Sequence, residues 1–114
     1  MSTINWIAVR CEYDYINRDP DPTVHPSVMD WVCEAIDDTD PEIVGKSYGR
    51  DALAPDLPQF AESDIKRVTG EIMLTWLHDS MSEVRKAGKE GMAQDALDKI
   101  LLPARGSTPP YVED

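Results

Sequence analysis

The residues best suited to metal binding or nucleophilic chemistry are scattered along the chain. They are Cys11, His25, Cys33 and His78. Structural zinc sites use closely spaced pairs such as C-x-x-C or H-x-x-x-H, and neither spacing occurs here. A cysteine nucleophile needs electropositive surroundings that lower the pKa of its thiol, whereas both cysteines lie in the acidic part of the sequence. We therefore predict that the protein binds no metal or cofactor and is not an enzyme.

Two further patterns begin like ligand-binding motifs but are incomplete. The adjacent carboxylates of Asp37 and Asp38 are suited to a divalent cation, but no Asp-x-Asp-x-Asp-Gly loop surrounds them. Gly45-Lys46-Ser47 resembles the end of a phosphate-binding loop, but Asp40 stands where that motif requires its first glycine. Neither pattern predicts a site.

The strongest signal in the chain is the uneven distribution of its acidic residues. Residues 1–64 carry fourteen acidic and four basic side chains, a net charge of −10, whereas residues 65–114 carry eight acidic and seven basic ones, a net charge of −1. Net charge governs solubility and association rather than fold. The chain should therefore repel nucleic acid and anionic membranes, and basic proteins are its expected partners.

The elements that carry these charges can be predicted from residue periodicity. Residues 4–15 alternate, with Ile7, Val9, Cys11, Tyr13 and Tyr15 on one face, which predicts a half-buried strand. Its pairing partner is open: residues 42–48, residues 111–112 and a second molecule are all candidates. Pro26–Asp38 has apolar residues at helical spacing and a proline suited to a first turn, so we predict a short acidic helix there.

The second half of the chain has a stronger helical pattern. After an irregular loop over Ile43–Phe60, we predict a long central helix over Asp64–Ala87, capped by Ser63, and a shorter helix over Met92–Leu102 that ends at Pro103. The expected fold is α+β and mostly helical. Residues 1–104 should form a single small globular domain, with an acidic half (1–64) and a helical scaffold (65–104), followed by an extended flexible tail at 105–114.

The predicted acidic helix would gather carboxylates along one face at a spacing close to that of nucleic-acid phosphates, about 4 Å per charge along the axis. Two aromatic residues near these carboxylates are candidate anchors, since Tyr and Trp dominate interface hot spots. The predicted partner-binding residues are Asp30, Glu34, Asp37, Asp38, Asp40, Glu42, Trp31 and Tyr48. In size and acidity the chain resembles small phage proteins that imitate nucleic acid and disarm host defence enzymes, although no motif carries this likeness.

Two functional hypotheses follow. The first is a non-enzymatic inhibitor whose acidic surface docks on the nucleic-acid-binding surface of a basic protein. The alternative is a structural or assembly module that oligomerises through its N-terminal strand, for instance as a homodimer. The sequence has neither a signal-peptide pattern nor an apolar run of the roughly 18 residues that cross a bilayer, which predicts a cytoplasmic location.

Overall fold

Two long strands form the framework of the molecule. The computed structural model describes residues 2–18, 21–104 and 108–112. Strand β1 (Ser2–Asn17) pairs antiparallel with β2 (Thr23–Asp37) along almost its whole length. The N-terminal strand predicted from sequence is thus confirmed. Its partner is β2 of the same chain, and not residues 42–48, residues 111–112 or a second molecule.

The remaining elements complete a sheet and cover one side of it. Strand β3 (Val44–Ala52) pairs antiparallel with the other edge of β2, and the short β4 (Phe60–Ala61) pairs with the beginning of β2. Three helices follow: α1 (Glu62–Ile65), α2 (Gly70–Ser80) and α3 (Glu83–Ala104). None of the helices in the described residues is long and apolar enough to cross a membrane.

The expectation of a mostly helical protein was wrong. Strands account for 41% and helices for 33% of the structure, which is an α+β fold built on a four-stranded antiparallel sheet. The predicted acidic helix at Pro26–Asp38 is the central strand β2, and the predicted loop at Ile43–Phe60 contains β3 and the start of β4.

The error at β2 arose because two periodicities coexist in it. Met29, Trp31, Cys33 and Ala35 alternate toward the helices and are fully buried. Val28 and Val32, on the other side of the strand, combine with Ala35 to imitate a helical stripe. A central strand carries apolar residues on both faces, so periodicity alone cannot separate it from a helix. Pro26, interpreted as a helix start, lies instead beside an irregularity in the β1–β2 ladder, where a missing N–H is tolerated.

The predicted long helix over Asp64–Ala87 is interrupted twice. Thr69 caps the beginning of α2, with its hydroxyl accepting the Ile72 N–H at 3.4 Å. Ser82 caps the next helix, with its hydroxyl accepting the Arg85 N–H at 3.1 Å. Side-chain caps of this kind begin new helices. Helix α3 then continues through Gly88, beyond the predicted helix end at Ala87, and includes the predicted shorter helix. The predicted tail at 105–114 lies partly outside the described residues, and Thr108–Val112 have no regular secondary structure.

The core lies between the sheet and helices α2 and α3. Trp31 is its largest fully buried side chain, and its ring centroid lies 4.8 Å from that of Trp6 on β1. The buried core residues are Met29, Trp31, Cys33, Ala35, Leu53, Trp76, Leu77, Met81, Ala93 and Leu97. Both helices therefore pack on the same side of the sheet.

Two glycines of β3 let α3 and the Trp31 ring approach the sheet closely. A Cβ atom at Gly45 would lie 2.5 Å from the Ala93 carbonyl oxygen of α3, and one at Gly49 would lie 2.6 Å from Trp31 Cε2. Protein interiors are packed too densely to absorb such an overlap without movement. Glycine is thus required at both positions by the packing of α3 and Trp31.

Asp51 joins three elements around Trp31. Its carboxylate accepts a hydrogen bond from Trp31 Nε1–H at 3.2 Å and two from the Arg85 guanidinium of α3, at 2.7 and 2.8 Å. Hydrogen bonds from Arg85 hold the pKa of Asp51 below its ordinary value, and the bond from Trp31 acts in the same direction. The carboxylate is therefore a charged link between β2, β3 and α3.

Substituting Gly49→Ala should destabilise the fold because the new methyl group overlaps the Trp31 ring. We expect a loss of about 1–3 kcal/mol in the free energy of unfolding, measured by urea denaturation. Gly88→Ala is the matched control, since a Cβ there meets nothing within 4 Å and lies inside α3. That control should be stabilised by about 0.5–1 kcal/mol. Equal responses of the two variants would contradict the packing argument.

Substituting Asp51→Asn should make the protein less stable at neutral pH. The difference in stability from the unmodified protein should be smaller in acid. A carboxylate with a lowered folded-state pKa contributes stability above its unfolded pKa of about 3.9, and this contribution is lost as the pH falls through the folded-state value. We expect a deficit of about 1–3 kcal/mol at pH 7 that shrinks below pH 4, measured by urea denaturation. Asp56→Asn, in an exposed loop, should leave stability nearly unchanged. A deficit that is independent of pH would refute the charged link.

Candidate interaction surface

One face of the β1–β2–β3 sheet is left uncovered by the elements that the structure describes. We call it the open face. Each strand presents alternate residues to it, and the pairing register places these residues in rows across the sheet. The open face consists of Thr3, Asn5, Ile7, Arg10 and Glu12 from β1, Val28, Asp30, Val32, Glu34 and Ile36 from β2, and Val44, Lys46, Tyr48, Arg50 and Ala52 from β3.

An apolar row crosses the middle of the open face. Ile7, Val32 and Tyr48 are directly paired in register, one from each strand. Ile7 is 40% exposed and Tyr48 is 67% exposed, so the two ends of the row are in solvent. Ile36 and Val44 form a second apolar pair nearer the β2–β3 turn. Contiguous apolar surface on a soluble protein marks a site of interaction.

The charged rows on either side of the apolar row are neutralised within the face. Arg50 contacts Asp30 at 3.1 Å and also pairs with Glu12, while Arg10 contacts Glu12 at 3.0 Å and Asp30 at 3.4 Å. On the other side, Lys46 lies 3.8 Å from Glu34, which also accepts a hydrogen bond from Asn5. Three bases face three acids, so the open face has no net charge in a chain of −11.

The predicted acidic row is therefore not assembled as expected. Asp30 and Glu34 do share a face, but they are four strand residues apart, about 13 Å rather than one helical turn. Both are paired with basic side chains of the sheet. The phosphate-like spacing depended on a helix that does not form.

The other predicted acidic residues belong to the β2–β3 turn. Asp37 is buried and accepts the Asp40 backbone N–H at 3.1 Å, and the Asp40 side chain accepts the Glu42 N–H at 3.2 Å. Asp38 accepts a hydrogen bond from the Thr3 hydroxyl at 2.7 Å. Asp38, Asp40 and Glu42 are exposed. These carboxylates stabilise a turn and leave a small anionic tip at one end of the sheet.

The two aromatic residues proposed as anchors lie on opposite sides of the sheet. Trp31 is 1% exposed and belongs to the core, so it has no surface to offer a partner. Tyr48 lies on the open face, at the β3 end of the apolar row. Of the eight predicted residues, Asp30, Glu34 and Tyr48 are brought together on that face, and the other five are not.

The predicted side of β1 for Ile7 was wrong. Unbroken alternation would place Ile7 on the same side as Cys11 and Tyr15, but the register shifts between Ala8 and Arg10, where Val9 is the extra residue of a bulge. Ile7 consequently lies on the open face, while Cys11 lies on the covered one. The sequence signal for this was a change of phase. Ile4, Trp6 and Ala8 alternate on even positions, whereas Cys11, Tyr13 and Tyr15 alternate on odd ones.

The chemistry-bearing residues remain apart in the fold. Cys11 and Cys33 are free thiols, and burial raises the pKa of each to about 11, so both are protonated at neutral pH. Among residues 2–18, 21–104 and 108–112, no group of three His, Cys, Asp or Glu side chains is placed to hold a metal ion. Burial also lowers the pKa of His78, whose ring lies against Trp6.

Comparison with known proteins identifies no relative. No protein-family model, curated protein or solved structure matches the chain. A functional interpretation must therefore come from the surface of the molecule itself.

Proposed function

We propose that this protein is a non-enzymatic assembly module, two copies of which associate through the open face of the sheet. The observation that carries the proposal is the combination of an exposed apolar row, Ile7–Val32–Tyr48, with complete charge pairing around it. This develops the hypothesis of self-association through the N-terminal strand, since β1 contributes Ile7 and the Arg10–Glu12 pair to the face.

Charge favours a second copy as the occupant of this face. Two chains of −11 repel each other wherever their acidic surfaces meet, so they can approach only through a surface without net charge. The open face meets that condition because its ion pairs are internal. It measures roughly 14 by 30 Å, from three strands about 4.8 Å apart and nine residues long. That is small for a homodimer, so we expect a dissociation constant on the order of 10–100 μM.

Packing through the face is better supported than pairing through the edge of β1. The outer edge of β1 has no partner among the described strands, which would allow strand addition. However, the β1–β2 ladder contains three register shifts, including the bulge at Val9. Bulges are a common protection of sheet edges, because they interrupt the regular row of N–H and C=O groups that a new strand needs.

Nucleic-acid mimicry stays a prediction. It predicts that binding depends on salt concentration in the opposite direction to self-association. The exposed carboxylates of Asp38, Asp40 and Glu42 support it, but the pairing of Asp30 and Glu34 with basic residues weakens it. Binding to a basic partner should weaken as salt rises, because counterions screen the attraction. Self-association of anionic copies should strengthen under the same conditions.

A cytoplasmic location is part of the proposal. Its support is that both cysteines are free, as expected in a reducing compartment.

Substituting Tyr48→Glu should weaken the dimer because it replaces an aromatic ring of the apolar row with a negative charge and gives the neutral face a net charge. We expect at least about a tenfold increase in the dissociation constant, measured by sedimentation equilibrium. Val84→Glu is the matched control: it adds the same charge at an 84% exposed apolar residue of α3. That control should leave the dissociation constant within about twofold of the unmodified chain, as expected for a residue outside an interface.

Salt provides a second test on the unmodified protein. Raising sodium chloride from 50 to 500 mM should strengthen the dimer by screening repulsion between the two chains. A chain that stays monomeric at a concentration of about 1 mM, well above the expected dissociation constant, would refute the proposal. Equal loss of association in the Tyr48 and Val84 variants would refute the assignment to the open face.

A further inference from the structure

A second cluster lies where β1 meets α1, at the end of the sheet remote from the β2–β3 turn. Tyr13 and Tyr15 project to the same side of β1, with ring centroids 5.8 Å apart and planes nearly perpendicular. Both hydroxyls donate to the same Glu62 oxygen, Oε2, the Tyr13 bond measuring 3.3 Å. Two phenol rings are thereby fixed around one carboxylate.

The carboxylate of this cluster is held in its charged form. Hydrogen bonding from Tyr15 lowers the pKa of Glu62, and the same bond raises the pKa of Tyr15 to about 12. At neutral pH the cluster therefore presents a negative oxygen between aromatic rings. An aromatic face beside a carboxylate is suited to a planar cation such as guanidinium.

A guanidinium of the chain itself already lies on this cluster. Arg18 Cζ stands 4.6 Å from the centroid of the Tyr15 ring, within the range of a cation–π contact. Arg18 is exposed, and no ion pair within 4.0 Å is found for it among the described residues. The ring contact is thus the chief interaction seen for this side chain, and a competing cation could displace it.

The surroundings of the cluster would favour an incoming basic segment. A cavity of about 520 Å³ runs along the same stretch of β1. It is lined by Tyr13, Asp14 and Tyr15, and also by Arg10, Glu12 and Val28 of the open face, where Arg10 and Glu12 form an ion pair. Asp14, Asp21 and Asp64 are exposed near this end of the sheet. The field here attracts cations and repels a second copy of this acidic chain.

The geometry points to a docking site for an arginine side chain of a basic protein partner, formed by Tyr13, Tyr15 and Glu62. Arg18 occupies this site in the free protein and acts as an intramolecular competitor. The incoming guanidinium replaces that of Arg18 on the Tyr15 ring, and its peptide chain lies along the neighbouring cavity. Tyr13, Tyr15 and Glu62 lie outside the open face, although the cavity reaches its border at Arg10, Glu12 and Val28. None of these residues belongs to the apolar row Ile7–Val32–Tyr48, so the site can be tested separately from the proposed dimer.

The probe for this site is a blocked glycine peptide carrying two arginines, titrated into the full chain and followed by the NMR signals of the Tyr15 ring. Arg18→Ala should bind the peptide roughly two- to fivefold more tightly than the unmodified chain. In the unmodified chain the peptide must first displace the Arg18 side chain, and the free energy of an exposed cation–π contact corresponds to this factor. Tyr15→Leu should weaken binding by a similar factor, and circular dichroism should show that this variant remains folded.

Lys66→Ala is the matched control for charge. It also removes one positive charge close to Glu62, but Lys66 has no aromatic partner at the site. If Arg18→Ala and Lys66→Ala increased the affinity for the peptide equally, the cause would be the change in local electrostatic potential alone. That result would overturn the docking site. A peptide with citrulline in place of arginine should not bind, because citrulline keeps the shape of the side chain and lacks its charge.

The experiment is also informative about the dimer. The Tyr48→Glu variant should bind the arginine peptide as tightly as the unmodified chain. Loss of peptide binding in that variant would overturn the separation of the two sites. Tighter self-association of Arg18→Ala, without peptide, would reassign the site to an arginine of a second copy and overturn the partner proposed here.

Discussion

The packing of Trp31 is the constraint on which the rest of the structure depends. Its ring fills the space between the sheet and the helices, and it needs a residue without a side chain at Gly49. Its indole nitrogen donates to Asp51, which in turn binds Arg85 of α3. Shape and charge therefore fix the same helix against the same strand. A change at Gly49 or Asp51 would disturb the position of α3 and, through it, the whole covered side of the sheet.

Because the helices cover only one side of the sheet, apolar residues on its other side remain exposed. Helices α2 and α3 use the apolar residues that alternate inward from β2, and no described element remains for the outward ones. Val32 and Ile7 are therefore left on the open face, with Tyr48 beside them. The ion pairs of Arg10, Arg50 and Lys46 make this face neutral. An antiparallel sheet can expose one face to water; in the proposed dimer the apolar row and its neutral frame would be covered by a second copy.

The distribution of charge in space differs from its distribution along the sequence. Three of the four basic residues of the acidic half, Arg10, Lys46 and Arg50, are paired on the open face, so the unbalanced carboxylates lie toward the ends of the sheet. One end carries the turn residues Asp38, Asp40 and Glu42. The other carries the Tyr13–Tyr15–Glu62 cluster, where a guanidinium is already bound. The neutral and the anionic surfaces thus lie on different parts of the protein, so the proposed dimer and the proposed arginine site would use different surfaces.

Local sequence determined the N-terminal strand, the helical character of the second half and the acidity of the first. These follow from alternation, helical periodicity and composition, which act within a few residues. Tertiary structure alone decided that Val28–Asp37 is a strand, because a segment with apolar residues on both faces carries both periodicities and only its pairing with β1 and β3 selects one. It also decided which acids are neutralised, since Asp30 meets Arg50 through strand register and not through proximity in sequence. The bulge at Val9 then placed Ile7 on the open face, because one extra residue in a ladder reverses the side of every residue before it.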